Sequence, residues 1–233
     1  MSVGKRIYLK RNLPDPTIVN QFKDIPAANV ADVMERSCAM NPRIRLLSKP
    51  KNPIAVGVAL TVKARAGDNL ALHAALNMAK EGDFIVVSNE EESTRALIGM
   101  IMINYLHEFK KVAGIIIDGP IRDFDEIQNL DFPVYGTGTT PGGPYKEGPG
   151  EVNVPISCGG ISINPGDIIL ADYDGVIVIP RNDSAAILEK AKKIKETDAA
   201  KVIESGKGTV NRSWVDKALN DKEFEIIDDF YIF

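Results

Sequence analysis

Apolar residues gather into short runs that alternate with stretches of helical spacing. Residues 56–64, 84–87 and 112–117 read as buried strands, because each run is too short for a helix and rich in β-branched side chains. Between the first two, residues 70–80 place Leu72, Ala75, Leu76 and Ala79 on one helical face, entered through the turn Gly67-Asp68-Asn69. Residues 93–110 predict a second helix, with Ser88 or Asn89 as its cap and Glu90, Glu91 and Glu92 beside its positive end. A short helix over residues 122–129 follows the third strand.

Ahead of this pattern, residues 15–22 and 27–36 predict two short helices, with Asp15 and Asp24 as caps or turn residues. Beyond Phe132 the texture changes. Residues 137–150 are dense in glycine, proline and threonine and predict a long ordered loop, since strands bracket it. Residues 152–157, 161–163, 168–171 and 176–179 predict short strands turning at Gly159-Gly160, Pro165-Gly166-Asp167 and Asp174-Gly175. Residues 181–206 predict a long helix, apolar at Ala185, Leu188, Ala191 and Ile194. The order is a mixed α/β layered domain. It divides into an N-terminal arm (residues 1–24), an α/β domain (25–206) and a C-terminal tail (207–233). The tail carries Trp214, Phe230, Tyr231 and Phe233, to be packed on a neighbouring subunit or on its own.

A chain with 44% hydrophobic and 26% charged residues has an ordinary soluble composition. Its net charge of −4 gives no footprint for nucleic acid. Cys38 and Cys158 form no disulfide framework, so a reduced, cytoplasmic compartment is expected. The polar N-terminal stretch with Lys5, Lys10 and Arg11 lacks a signal peptide's apolar centre, and no run reaches the length of a membrane span. With His73 and His107 as the only histidines, a metal is expected to be a hard cation held by oxygen rather than zinc in a closed site.

The third strand carries the most pointed chemistry. It ends at Asp118-Gly119-Pro120 and presents Arg122 beside Asp123, at the strand end where α/β folds favour ligands. Arg122 offers a fixed cationic fork for a carboxylate or enolate oxygen, and Asp123 a hard ligand for Mg²⁺ or Mn²⁺. The same dipeptide also suits an ordinary helix start. Of the other candidates, Lys63 reads as a strand-end residue rather than a Schiff-base lysine, and His73, at helical spacing from Asn69, as a packed or capping residue rather than a base. Asp68 and Asn69 are turn formers or rim residues, Cys158 a small buried hydrophobe, and Gly142-Gly143-Pro144 no phosphate cradle.

Several blocks in order resemble the RraA-like family: Gly67-Asp68-Asn69-Leu70, Asp118-Gly119-Pro120-Ile121-Arg122-Asp123, Gly138-Thr139-Thr140-Pro141, Val154-Pro155-Ile156-Ser157-Cys158-Gly159-Gly160, Asn164-Pro165-Gly166-Asp167 and Asp172-Tyr173-Asp174-Gly175-Val176. The family includes aldolases acting on 4-hydroxy-4-methyl-2-oxoglutarate and 4-carboxy-4-hydroxy-2-oxoadipate, and regulators of ribonuclease activity. The resemblance implies a layered swivelling β/β/α domain of mixed sheets with flanking helices, assembled as homotrimers or homohexamers. It implies a lyase that uses Mg²⁺ or Mn²⁺ to cleave a 4-hydroxy-2-oxo acid to pyruvate, and that decarboxylates oxaloacetate through the same enolate. The alternative it implies is a non-catalytic regulator that binds a ribonuclease or another protein.

By the same resemblance Asp123 is the metal ligand and Arg122 the substrate arginine. Gly99, Met100, Ile101 and Met102 form the substrate loop, and Glu196 is an acid supplied by the next subunit. One departure is visible: the aldolases place an acid directly after the glycine that matches Gly99, whereas this chain has Met100, whose thioether accepts no proton.

Overall fold

The three apolar runs lie side by side at the centre of the fold, in a computed structural model that describes residues 3–231. Met1, Ser2, Ile232 and Phe233, the last a member of the expected aromatic tail, lie outside the described residues. In chain order the strands are β1 (Arg45–Leu46), β2 (Ala55–Ala64), β3 (Asp83–Ser88), β4 (Gly114–Ile117), β5 (Pro120–Ile121), β6 (Val134–Gly136), β7 (Gly138–Thr139), β8 (Gly150–Val152), β9 (Ile156–Cys158), β10 (Ile161–Ile163), β11 (Ile168–Asp172) and β12 (Gly175–Ile179). The helices are α1 (Pro16–Gln21), α2 (Ala27–Val33), α3 (Leu70–Met78), α4 (Met100–Asn104), α5 (Phe124–Ile127), α6 (Ser184–Gly206) and α7 (Ser213–Asp221). A compact unit runs through Ile194, and a second begins at Lys195.

In the first unit an eight-stranded sheet has the order β1-β6-β4-β3-β2-β11-β12, with β8 joined to the end of β2. Strands β2, β3, β4 and β6 are parallel, while β11, β12, β1 and β8 pair antiparallel with their neighbours. Successive side chains of a strand point to opposite faces. Accordingly Leu60, Val62, Ile85, Val87, Ile115 and Ile117 pack with Leu72, Ala75 and Leu76 of α3. Phe84, Val86 and Ile116 pack on the other face with Ile156, Cys158 and Ile163 of the β9–β10 hairpin. A third cluster joins α1, α2 and the start of α6 to β11 and β12. Burial on both faces explains why the central strands are continuously apolar rather than alternating. The layers are those of the expected mixed α/β fold.

The expected helix over residues 93–110 is a correction. Residues 89–99 form a pinned loop, and the helix starts only at Met100, after an extended Gly99 (φ −140°, ψ −173°). Asn89 does not cap it: its side chain accepts the Gly67 N–H and donates to Glu92 O. Glu92 accepts the Thr94 N–H and hydroxyl, and Glu91 pairs with Arg43. Buried Ala96 donates to Gly142 O. Local and tertiary hydrogen bonds therefore outcompete the helix over about its first two turns. From Tyr105 the helix widens to π geometry as far as Lys110.

Smaller differences have similar causes. Asp24 caps nothing; the Ala27 N–H at the start of α2 is taken by Asp172 Oδ2 at 2.8 Å. The single strand expected over residues 152–157 is broken into β8 and β9 at Asn153, whose φ of +55° reverses the pleat ahead of Pro155. The second unit holds the end of α6 and α7, a helix with no buried residue that the sequence reading missed.

The glycine-rich loop is ordered, as expected, because Asp68 ties it down. The buried Asp68 carboxylate accepts the N–H groups of Leu70 at 2.9 Å, Glu147 at 2.7 Å and Gly148 at 2.9 Å. Burial, the largest influence, pushes this carboxyl up. The three N–H donors and Arg65 together outweigh it and hold its pKa below the usual carboxylate value. A depressed folded-state pKa contributes stability that is present above the unfolded value and lost as pH falls through the folded one. Asp68→Ala is therefore expected to cost about 2–3 kcal/mol at pH 7 in urea unfolding. The gap to wild type should narrow below about pH 4. A gap that does not change with pH would contradict this assignment.

Candidate active site

The end of β4 sets the site. Asp118, buried just past the strand, accepts a hydrogen bond from the Arg43 guanidinium at 2.8 Å and the Gly159 N–H at 2.8 Å. Gly119 passes so close to Asn89 that a Cβ there would lie 2.5 Å from Nδ2. The short β5 then pairs in parallel with β7, and the Arg122 N–H donates to Ile98 O at 3.1 Å. Two separated segments, residues 98–100 and 119–123, are thereby fixed against each other.

Asp123 adopts the left-handed conformation (φ +57°, ψ +39°), which Asp tolerates better than most residues. Its carbonyl receives the Glu126 and Ile127 N–H groups and starts α5, while its side chain turns back over Gly99. Asp123 Oδ2 accepts the Met100 N–H at 2.9 Å and lies 3.7 Å from Arg122 Nε. A Cβ on Gly99 would collide with Asp123 Oδ2 and lie 2.9 Å from Arg122 Nε, so a side chain there would displace the pair. The Arg122 and Asp123 side chains are 44% and 38% exposed, so they are adjacent, point the same way and are open to a ligand.

Two cavities meet at Arg122. One, of about 510 Å³, is lined by Arg122, Asp123, Asp125, Glu126, Thr139 and Thr140 among others. The other, of about 310 Å³, is lined by Arg122, Gly99, Met102, Asn69, His73 and Lys146 among others. Within it Asn69 Nδ2 donates to Leu97 O at 2.8 Å and approaches Met102 Sδ at 3.8 Å. The half-buried His73 imidazole has no hydrogen-bond partner among the described residues. Burial first, and the Lys146 charge second, lower its pKa below the usual 6.5, which favours the neutral ring at pH 7.

The donor set suits one kind of metal. Among the described residues no group of three His, Cys, Asp or Glu side chains could hold an ion. Mg²⁺ and Mn²⁺ do not need one: a single carboxylate, with water and substrate oxygens, suffices for a cation that keeps much of its hydration. Asp123, with one oxygen shared with the Met100 N–H, and with Asp125 and Glu126 beside the same cavity, fits such an ion.

Of the residues named from sequence, Arg122, Asp123, Gly99, Met100, Ile101 and Met102 come together here. The Met100 N–H is committed to Asp123, so this amide of the loop already has an acceptor. Glu196 is an exposed residue of α6 in the second unit. Lys63 lines neither cavity and sits opposite Glu151 on the β2–β8 ladder. Glu91 and Glu92 do not replace the acid missing at Met100, since Arg43 and Thr94 hold them. Cys158 is a buried core residue whose thiol is pushed up by burial. The spacing favours a packed or capping His73 over a base; the structure leaves its ring without a hydrogen-bond partner among the described residues and on the lining of a cavity. The signal was the four-residue spacing from Asn69, which puts both on one side of α3.

Comparison with known proteins gives the family. Residues 27–178 match the RraA-like family, described as Aldolase/RraA. A relative in Halalkalibacterium halodurans, named "Putative 4-hydroxy-4-methyl-2-oxoglutarate aldolase", is 39% identical over 183 residues, which are 78% of this chain and 86% of the relative. An uncharacterized protein of Methanocaldococcus jannaschii is 35% identical over 182 residues, covering 77% of this chain and 85% of that protein. The crystal structure of Streptomyces coelicolor RraAS2, described as an unusual member of the RNase ES inhibitor RraA protein family, superposes with a TM-score of 0.72 at 25% identity, over 82% of this chain and 98% of that one. The chain belongs to the Aldolase/RraA family.

Proposed function

We propose that the chain is a divalent-metal-dependent lyase that cleaves a 4-hydroxy-2-oxo acid to pyruvate. One observation carries the reading: Arg122 and Asp123 converge over Gly99, both on the lining of one cavity, with a second cavity that Arg122 and Gly99 line. Asp123 would hold Mg²⁺ or Mn²⁺, and the bound ion would supply Lewis-acid polarisation of the 2-oxo acid group.

The rest follows from charge. Retro-aldol cleavage removes the proton of the 4-hydroxyl, turns that C–O bond into a carbonyl and breaks the C3–C4 bond. The electron pair passes to C3 and spreads onto the C2 oxygen as an enolate, which takes a proton at C3 and leaves as pyruvate. Arg122 faces the developing oxyanion with a preorganised cationic fork, worth most in the transition state. Oxaloacetate reaches the same enolate by losing CO₂, with no hydroxyl proton to remove. In the same proposal Glu196 is supplied by a second copy of the chain in a trimer or hexamer. No helix among the described residues is long and apolar enough to cross a membrane.

A second reading, a non-catalytic regulator that binds another protein, is favoured by Met100 standing where the aldolases carry an acid and by the likeness to RraAS2. Incubation with Mg²⁺ or Mn²⁺ and 4-hydroxy-4-methyl-2-oxoglutarate or oxaloacetate separates the two. Pyruvate release above the metal-only rate is expected for the lyase, and its absence for the regulator. Asp123→Ala is expected to reduce release to background, and Arg122→Lys to slow it by about 10²–10³-fold, since a point charge replaces the fork. Gly99→Ala should fold and yet lose most activity, because its methyl occupies the space of Asp123 Oδ2. A fully active Gly99→Ala enzyme would show that the pair does not act from this geometry.

A further inference from the structure

The cleavage needs a base for the hydroxyl proton, and the acid expected for that part of the site is absent at Met100. We propose that His73 is that base, a role that rests on the lyase reading above. The cavity shared with Arg122 is lined by Lys146, Asn69 and His73 as its other polar side chains. Arg122 and Lys146 carry no acceptor when charged, and an amide oxygen such as that of Asn69 is too weakly basic to hold a proton. His73 alone in this lining has a nitrogen lone pair matched to proton transfer near neutral pH. Its ring is committed to no other residue among those described, so the lone pair is available.

The surroundings of His73 favour the neutral, accepting form. Lys146 and Arg122 face it across the first cavity, and Lys5 across a second groove of about 530 Å³, with Glu147 as the opposing charge in that groove. Burial and Lys146 both work against a second positive charge on the ring. The position between two cavities also suits turnover: the proton is taken on the Arg122 side and exchanged with solvent on the Lys5 side. The carboxylates beside the other cavity, Asp125 and Glu126, are weaker bases at neutral pH.

The two reactions of the shared enolate give a direct test, because only retro-aldol cleavage begins with a hydroxyl proton. In the full-length protein His73→Ala is expected to slow cleavage of 4-hydroxy-4-methyl-2-oxoglutarate by about 10²–10⁴-fold. Oxaloacetate decarboxylation should stay within about threefold, and added imidazole should restore part of the cleavage. The wild-type cleavage rate should fall on the acid side as the ring protonates below its usual 6.5, a limb absent from His73→Ala. With only His73 and His107 in the chain, a proton NMR titration reads the ring without turnover, and the resonance lost in His73→Ala should titrate below 6.5. A parallel loss of both reactions, or unchanged cleavage, overturns the role of His73 and leaves the lyase reading standing. A wild-type protein that performs neither reaction overturns both.

Discussion

The contact on which the site depends is the Asp123 carboxylate folded back onto Gly99, where it takes the Met100 N–H. It joins two segments far apart in the chain and brings Arg122 into the same corner. The contact requires two exceptions to ordinary backbone rules. Asp123 must sit in the left-handed region, and position 99 must leave the space that a Cβ would take from Asp123 Oδ2. Left-handed backbone at a non-glycine residue is costly and persists where surrounding structure enforces it, often at functional sites. Here the enforcement comes from the β5–β7 pairing and the Arg122–Ile98 hydrogen bond on one side, and from the start of α5 on the other.

The rest of the first unit serves that corner. The parallel strands β2, β3 and β4 end together, and polar groups just beyond them hold the loops in place: Asp68 on the 147–148 amides, Asn89 on Gly67 and Glu92, and Asp118 on Arg43 and Gly159. None of these side chains lines either cavity beside Arg122. They are buried hydrogen-bond anchors, and each replaces backbone pairing that the irregular loops cannot provide. Asn69, one residue from Asp68, belongs to the cavity itself, so a single tight turn serves both the scaffold and the site.

Much of this was legible from residue patterns. The buried strands and α3 follow from apolar runs and helical spacing, and the Arg122–Asp123 corner from a strand that stops at Gly-Pro. What was not legible involves partners distant in sequence. Residues 93–98 have the composition of a helix start, but Ala96 and Asn89 find hydrogen bonds with Gly142 and Gly67. The strand over residues 152–157 breaks because the Asn153 N–H reaches Thr61 O and the backbone reverses there. His73 looked structural because spacing places a side chain on a helix face without revealing whether that face meets core or cavity. The resemblance to a family added the loop at residues 99–102 and Glu196, and the structure shows that a side chain at position 99 would displace Asp123 Oδ2.

The central claim is that Asp123 anchors a divalent cation. Titration of the metal-free protein with Mn²⁺, followed by the electron paramagnetic resonance signal of the free ion, tests it without any assumption about substrate. One bound Mn²⁺ per chain in the wild type, lost in Asp123→Ala while the circular dichroism stays unchanged, is the result this account predicts. Equal Mn²⁺ binding by the two proteins would contradict it.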